Sequence, residues 1–196
     1  MTTPRNCDRA NSRDHALVTD PDSLFEQLAA DRERKRPPVL KWHPERIGAS
    51  AMRIASDGRW YYQGSEIRRP EMVKLFSTIL RREGARHFLV TPAEKLSIDV
   101  DDAPFLAVDM ETSGRDRTAR IVFRTNVDDF VEADKDHPIL LKGEGELARP
   151  YVVVRDGLEA LISRPVYYRL AELTVTGPQG RAGAWSNGAF FALERG

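Results

Sequence analysis

The chain has 196 residues, and its 30 Lys and Arg balance its 30 Asp and Glu, so the formal net charge is zero. Because 41% of the residues are hydrophobic, the chain can bury a core, which excludes disorder along its whole length. The charge balance excludes general coating of nucleic acid, and the single cysteine excludes a disulfide framework or a cysteine-rich zinc module.

The first twenty residues are polar and carry charges of both signs, without the apolar stretch of a signal peptide. No run approaches the roughly 18 apolar residues that a membrane-spanning helix requires. We therefore expect residues 1–20 to form a disordered leader, and we expect a cytoplasmic protein with no membrane partner.

A helix is predicted over residues 21–36. Asp20 suits its N-cap and Pro21 its first helical position, while Pro37 and Pro38 stop it. We predict a first lobe over 37–101 that combines strands and a helix.

The first lobe begins with a predicted hairpin that turns at Asp57-Gly58, a dipeptide that tolerates positive φ. An amphipathic helix is predicted to follow, entered at Pro70 and ended by Gly84. Two further strands, 88–91 and 96–100, complete the lobe.

A second lobe is predicted over residues 102–196. The strands 105–112 and 118–125 flank a hairpin loop at 113–116, with weaker strand candidates at 127–133 and 139–142. The later glycine-rich stretch 177–183 lacks the Lys-Ser/Thr ending of a phosphate loop, so we interpret it as a hairpin loop.

An internal repeat is the most informative feature of the sequence. Five residues of the second lobe lie 95 positions after similar residues of the first: Ile162, Arg164, Pro165, Arg169 and Leu170 after Ile67, Arg69, Pro70, Lys74 and Leu75. Both copies predict a hairpin, an Arg-Pro helix start, a helix and a strand. Duplication and coincidence are both compatible with this match. We predict an α+β fold of two lobes with a duplicated hairpin–helix–strand motif and mostly antiparallel sheets.

The zero net charge conceals two opposed stretches. Residues 66–95 contain seven basic and four acidic residues, whereas residues 99–136 contain eleven acidic and five basic ones. The pattern allows either a local anion site or a polar contact between the lobes.

Basic side chains near the two helix starts are the leading candidates for ligand binding. A helix N-terminus offers free N–H groups, and arginine can bind a phosphate or carboxylate through two N–H groups. Aromatic side chains nearby could stack on a base. The alternative is that the cations lie on a solvated face and the aromatics in the core. The candidates are Arg68, Arg69, Lys74, Lys95, Arg164, Arg169, Tyr62, Tyr167, Tyr168 and Trp185.

No catalytic motif or cofactor motif is recognisable in the sequence. The four histidines match no ligand spacing, and no serine sits in a nucleophile elbow. Asp99, Asp101 and Asp102 invite a metal interpretation, but they lack EF-hand spacing. We predict no catalytic residues, metal or cofactor. An enzyme that acts on phosphoesters through dispersed carboxylates and a protein-interaction adaptor that uses the acidic stretch remain alternatives.

Four segments of the chain, 60–67, 72–80, 89–95 and 150–162, resemble the bacterial family catalogued as domain of unknown function 1285. The resemblance extends over about residues 40–193. It implies a two-lobed α+β fold whose C-terminal lobe is loosely like a pleckstrin-homology domain. It also implies a nucleotide-like ligand between the lobes and a role in signalling, and it brings no catalytic residues. On this basis we expect a non-catalytic ligand-binding or sensory module that takes a small anionic ligand.

Overall fold

The computed structural model describes residues 20–22, 24–25, 36–143 and 148–194. Within the predicted helix 21–36, the described residues Pro21, Asp22, Leu24 and Phe25 are helical, and the Leu24 N–H donates to the Asp20 carbonyl at 3.1 Å. The Leu24 side chain is completely buried. Apart from Asp20, the predicted leader lies outside the described residues.

The first lobe is built on a six-stranded sheet. Its strands are β1 (Arg46–Ile54), β2 (Trp60–Tyr62), β3 (Ser65–Glu66), β4 (Leu80–Glu83), β5 (Arg86–Val90) and β6 (Glu94–Val100), and helix α1 (Pro70–Thr78) lies between β3 and β4 in the chain. The strand order is β3-β2-β1-β6-β5-β4. Two antiparallel meanders, β1–β3 and β4–β6, are joined through the parallel pair β1 and β6.

The second lobe repeats this plan with a second six-stranded sheet. Its strands are β7 (Phe105–Ser113), β8 (Arg120–Thr125), β9 (Phe130–Glu132), β10 (Ile139–Lys142), β11 (Arg149–Arg155) and β12 (Leu158–Ile162), followed by helix α2 (Arg164–Ala171). The order is β10-β11-β12-β7-β8-β9. Two meanders are again joined by a parallel pair of the first and last strands, β7 and β12.

A small antiparallel sheet ends the chain. It contains β13 (Val175–Thr176), β14 (Ala182–Ser186) and β15 (Ala189–Ala192) in that order. Strand β14 contacts α2 and β8, and β15 contacts β10. The loop between β13 and β14 is the hairpin loop predicted for residues 177–183.

These observations confirm the predicted α+β fold class. A hairpin precedes a helix in both lobes, and each sheet is antiparallel except for its central pair. The repetition is also larger than predicted, because it covers whole sheets of six strands. The hairpin that precedes the helix has a different place in each sheet. Its first strand, β1, is central in the first lobe, whereas its second strand, β12, is central in the second lobe.

The predicted length of the helix that begins at Pro70 was wrong. Helix α1 ends at Thr78, and the next residues form β4, which pairs with β5. Leu80 is buried in strand β4 and would also be buried in a longer helix, so the apolar pattern alone could not distinguish a helix from a strand. Gly84, predicted as a helix cap, has a φ of +61° in the tight turn between β4 and β5.

One continuous hydrophobic core connects both lobes. It includes Trp60 and Phe76 of the first lobe and Phe105 and Phe123 of the second, together with Leu24. The rings of Trp60 and Phe76 are tilted against each other, with centroids 6.3 Å apart. In the part of the chain that the structure describes, no helix is long and apolar enough to cross a membrane.

Candidate functional site

Most of the cations predicted to bind an anion are paired with carboxylates of the chain itself. The pairs are Arg69 with Asp22 at 3.0 Å, Lys74 with Asp128 at 2.6 Å, Lys95 with Glu83 at 3.0 Å and Arg169 with Asp109 at 2.6 Å. Arg68, with a side chain that is 86% exposed, lies 3.9 Å from Glu66. Arg164 is exposed at the start of α2 and has no carboxylate within 4 Å among the described residues. Carboxylates of the chain itself therefore neutralise most of these candidate cations.

A chain of ion pairs runs from one helix to the other. Arg124 contacts Asp128, the partner of Lys74, at 3.2 Å and Asp109, the partner of Arg169, at 3.8 Å. Hydrogen bonds from Arg169 and from the Met110 backbone lower the pKa of Asp109. Hydrogen bonds from Lys74 and Arg124 lower the pKa of Asp128. The opposed charge stretches of the sequence thus meet in a polar contact between the lobes.

A buried arginine forms a second contact between the lobes. The Arg155 side chain, which is only 13% exposed, pairs with Asp129 and donates to the Ser77 carbonyl at the end of α1 at 2.6 Å. Its guanidinium also lies 4.8 Å from the centroid of the Phe105 ring. Burial lowers the pKa of Arg155. Arg36 pairs with the same Asp129 carboxylate from the segment before β1.

The Asp-Gly turn of the first hairpin docks onto the second lobe. The Asn126 side chain donates to the Gly58 carbonyl at 3.1 Å and accepts from the Leu106 N–H at 3.0 Å. A Cβ atom at Gly58 would lie 2.7 Å from Asn126 Nδ2. The contact between the lobes therefore contains ion pairs and hydrogen bonds in addition to the shared hydrophobic core.

The candidate aromatic side chains divide into three groups. Tyr62 and Tyr167 are half-buried and pack against the core. Tyr168 projects from α2 and is 66% exposed. Trp185, on β14, is half-buried and lines a cavity. The other nine candidates line neither this cavity nor a second cavity that lies on the first sheet.

Two of the three aspartates that invited a metal interpretation, Asp101 and Asp102, have other partners. Asp101 pairs with Arg53 at 3.1 Å, and Asp102 pairs with Arg149 at 2.6 Å. Asp102 also accepts from the Tyr151 hydroxyl at 2.7 Å, and burial together with this contact raises the pKa of Tyr151 to about 12. Within the described ranges no group of three or more His, Cys, Asp or Glu side chains is placed to hold a metal ion.

The cavity beside Trp185, hereafter the Trp185 cavity, has a volume of about 250 Å³. Three segments meet there: the loop between β7 and β8, the residues that follow α2, and β14. Ile121 is completely buried beneath it, and Leu173 and Val175 are apolar side chains at its exposed side. The cavity thus has an aromatic and aliphatic wall.

Hydrogen bonds on the C-terminal side of Trp185 fix its position. The buried Ser186 hydroxyl accepts from the Ile121 N–H at 2.9 Å, and the Asn187 N–H donates to the Ala119 carbonyl at 2.8 Å. The opposite loop is tight, because a Cβ atom at Gly114 would lie 2.3 Å from the Thr118 carbonyl oxygen. The wall of the cavity is therefore preformed.

Two arginines beside the cavity have no ion-pair partner in the part of the chain that the structure describes. Arg115 lines the cavity, and the Arg117 guanidinium lies 5.0 Å from the Trp185 ring centroid. Neither has a carboxylate within 4 Å among the described residues, although Asp116 and Glu172 also line the cavity. Sequence reasoning identified Trp185 but missed both arginines. The density of arginines around the predicted loop could have identified these two residues. Nothing in the local sequence indicates that Trp185, about seventy positions away, lies beside them.

Comparison with known proteins gives a family without an assigned activity. Residues 37–103 match the model "Domain of unknown function (DUF1285), N-terminal domain", and residues 104–193 match "Protein of unknown function (DUF1285), C-terminal domain". A crystal structure of a DUF1285 family protein from Silicibacter pomeroyi DSS-3 is 47% identical with a TM-score of 0.77, over 85% of this chain and 93% of that one. Another from Shewanella baltica OS155 is 26% identical with a TM-score of 0.50, over 62% of this chain and 91% of that one. No curated protein matches the chain.

Proposed function

The chain belongs to the DUF1285 family, and we propose that it is a non-catalytic module of bacterial signalling that binds a small anionic, nucleotide-like ligand. The observation that carries the proposal is a pair of guanidinium groups, those of Arg115 and Arg117, that have no carboxylate partner among the described residues and lie beside the half-buried Trp185 ring. We assign the ligand to the Trp185 cavity.

The chemistry of the cavity suits a flat ring that carries an anionic group. A base can stack on an indole ring, with a contribution of about 1–3 kcal/mol per base. An arginine with no partner is free to bind a phosphate through two N–H groups. The volume of about 250 Å³ lies just below the common range of roughly 300–1,000 Å³ for ligand pockets. A single base with one phosphate is therefore a better match than a dinucleotide.

The contact between the lobes is a poorer place for an anion. Lys74 is held by Asp128 and Arg155 by Asp129, so a ligand there would have to displace a carboxylate of the chain. Arg115 and Arg117 require no such exchange. For this reason the proposed site differs from the position that the family resemblance implies.

The residue types of the cavity favour binding over catalysis. Its lining provides the hydroxyls of Thr112, Ser113 and Thr174 and the carboxylates of Asp116 and Glu172, but in the described structure it includes no histidine, lysine or cysteine. The hydroxyls of the cavity therefore lack the neighbouring histidine or lysine that commonly activates a serine or threonine nucleophile.

A protein-interaction adaptor is the second candidate function. Phe130, on the edge strand β9, and Tyr168, on α2, are each 66% exposed, which is unusual for aromatic side chains of this size. Capture of a basic partner that is lost at high salt, without any thermal shift from small molecules, would favour this function over ligand binding.

Isothermal titration against a panel of nucleoside monophosphates tests the proposal. At least one member should bind, and the Arg115→Ala, Arg117→Ala double variant should lose most of that binding. The Arg68→Ala, Arg164→Ala double variant is the matched control, because it also removes two exposed arginines but lies outside the cavity. Binding that survives in the first variant, or that disappears only in the second, would overturn the assignment to the Trp185 cavity.

A further inference from the structure

A second cavity, of about 410 Å³, lies on the first sheet. Pairing across β2, β1 and β6 places Tyr61 opposite Arg53 and Arg53 opposite Asp99, so the three residues form a row on one face. All three line the cavity, together with Ala51, Met52 and Gly64.

An irregularity of the backbone accompanies this cavity. The register of β1 against β6 shifts between Ala49 and Arg53. Within this stretch the Ser50 hydroxyl donates to the Ser97 carbonyl at 3.0 Å and accepts from the Met52 N–H at 3.2 Å. At Gly64, a Cβ atom would find no other atom within 4 Å, so the space beside this residue is open.

The cation of the row, Arg53, has a carboxylate partner, whereas the anion, Asp99, has none in the described structure. Arg53 Nη1 lies 3.1 Å from Asp101, and its guanidinium lies 5.3 Å from the centroid of the Tyr61 ring. Only one nitrogen of the Arg53 fork contacts Asp101, so other N–H groups of that fork can donate. The Asp99 carboxylate is exposed and has no hydrogen-bond or ion-pair partner among the described residues.

We propose that this cavity binds a free α-amino acid as a zwitterion, with its carboxylate on Arg53 and its ammonium group on Asp99. Neighbouring strands lie about 4.8 Å apart, so Arg53 and Asp99 project next to each other from one face of the sheet. Their charged groups form no ion pair within 4 Å, which leaves each able to contact one end of a ligand. A simple anion would be repelled by Asp99 and a simple cation by Arg53, whereas a zwitterion satisfies both. The Tyr61 ring is then available to contact the ligand's side chain.

The site is independent of the proposed function, because it shares no residue with the Trp185 cavity. An amino acid that binds here should therefore remain bound when a nucleoside monophosphate is added, and the reverse should also hold. Failure of either site leaves the test of the other unchanged.

A titration of the ¹⁵N-labelled full chain with free amino acids, followed by NMR, tests the proposal. We expect saturable shifts around Arg53 and Asp99 for at least one amino acid. The N-acetylated and the amidated forms of that amino acid, which lack one of the two charges, should each bind about tenfold more weakly or worse, as expected for loss of a charge-assisted hydrogen bond.

Variants at the two charges complete the test. Asp99→Asn breaks no polar side-chain contact that the described residues make and should weaken binding about tenfold. Arg53→Gln, which also removes the pair with Asp101, should weaken binding at least as much. Glu111→Gln is the matched control, because Glu111 is also an exposed strand carboxylate without a partner among the described residues. The proposal is overturned if no amino acid binds at millimolar concentration, if the acetylated or amidated form binds equally well, or if Asp99→Asn binds like the unmodified protein.

Discussion

Lys74 and Arg169, which occupy equivalent positions of the sequence repeat, lie at the two ends of one chain of ion pairs. Lys74 belongs to α1 of the first lobe and Arg169 to α2 of the second. Their carboxylate partners, Asp128 and Asp109, both contact Arg124. The repeat therefore places a cation on each helix, and the acidic stretch between the repeats supplies the carboxylates that neutralise both. Opposite charges that cancel in the total of the chain thus meet at the contact between the lobes.

This arrangement predicts that acid weakens the protein through Asp109 and Asp128. Each has a pKa lowered in the folded state, so each stabilises the fold above its unfolded pKa, near 3.9, and that contribution is lost as the pH falls through the lower, folded pKa. The free energy of unfolding, measured by urea titration between pH 7 and pH 2, should fall as the solution becomes more acidic. In the Asp109→Asn, Asp128→Asn variant this dependence should be shallower, and an unchanged slope would contradict the prediction.

The buried Arg155 is predicted to contribute more to stability than the exposed ion pairs. Arg155→Ala leaves the half-buried Asp129 with Arg36 alone and removes the donor to the Ser77 carbonyl. We expect a loss of about 3 kcal/mol in the free energy of unfolding, within the range for one partner removed from a buried pair. Arg164→Ala is the control, since this exposed residue has no ion-pair partner in the described structure, and its effect should stay within about 0.5 kcal/mol. Equal effects of the two variants would show that Arg155 is not a link between the lobes.

A comparison of two glycines isolates the docking of the first hairpin. Gly58 and Gly64 have nearly the same positive φ, +81° and +80°, so alanine strains the backbone similarly at both. Only at Gly58 would the new Cβ atom meet the second lobe, 2.7 Å from Asn126 Nδ2. Gly64→Ala should cost about 1 kcal/mol of unfolding free energy and Gly58→Ala about 1–2 kcal/mol more. If the two variants have the same melting temperature, the contact between the turn and Asn126 does not stabilise the fold.

The same turn shows what the sequence could predict. Asp57-Gly58 identified a hairpin because its geometry is decided by neighbouring residues. The strand β4 was missed because Leu80 continues an apolar helical stripe, and only its pairing with Leu89 on β5 makes it a strand. The fold class followed from local patterns of this kind. The partners of Lys74 and Arg169 depend on contacts between segments far apart in the chain, and no local pattern specifies them.

The position of Trp185 is predicted to depend on the Ser186 hydroxyl. A change at Ser186 should therefore affect both the stability of the fold and ligand binding at the Trp185 cavity. Ser186 is completely buried, and its oxygen accepts from the Ile121 N–H. Ser186→Ala leaves that N–H unpaired and should cost about 1–3 kcal/mol of unfolding free energy. Because Trp185 precedes Ser186 on β14 and lines the cavity, the indole N–H resonance of Trp185 should shift and nucleoside monophosphate binding should weaken. Ser65→Ala, at an exposed edge strand, is the matched control and should change neither. If the Ser186→Ala variant is destabilised but retains full ligand affinity, Ser186 stabilises the fold without positioning Trp185 for the ligand.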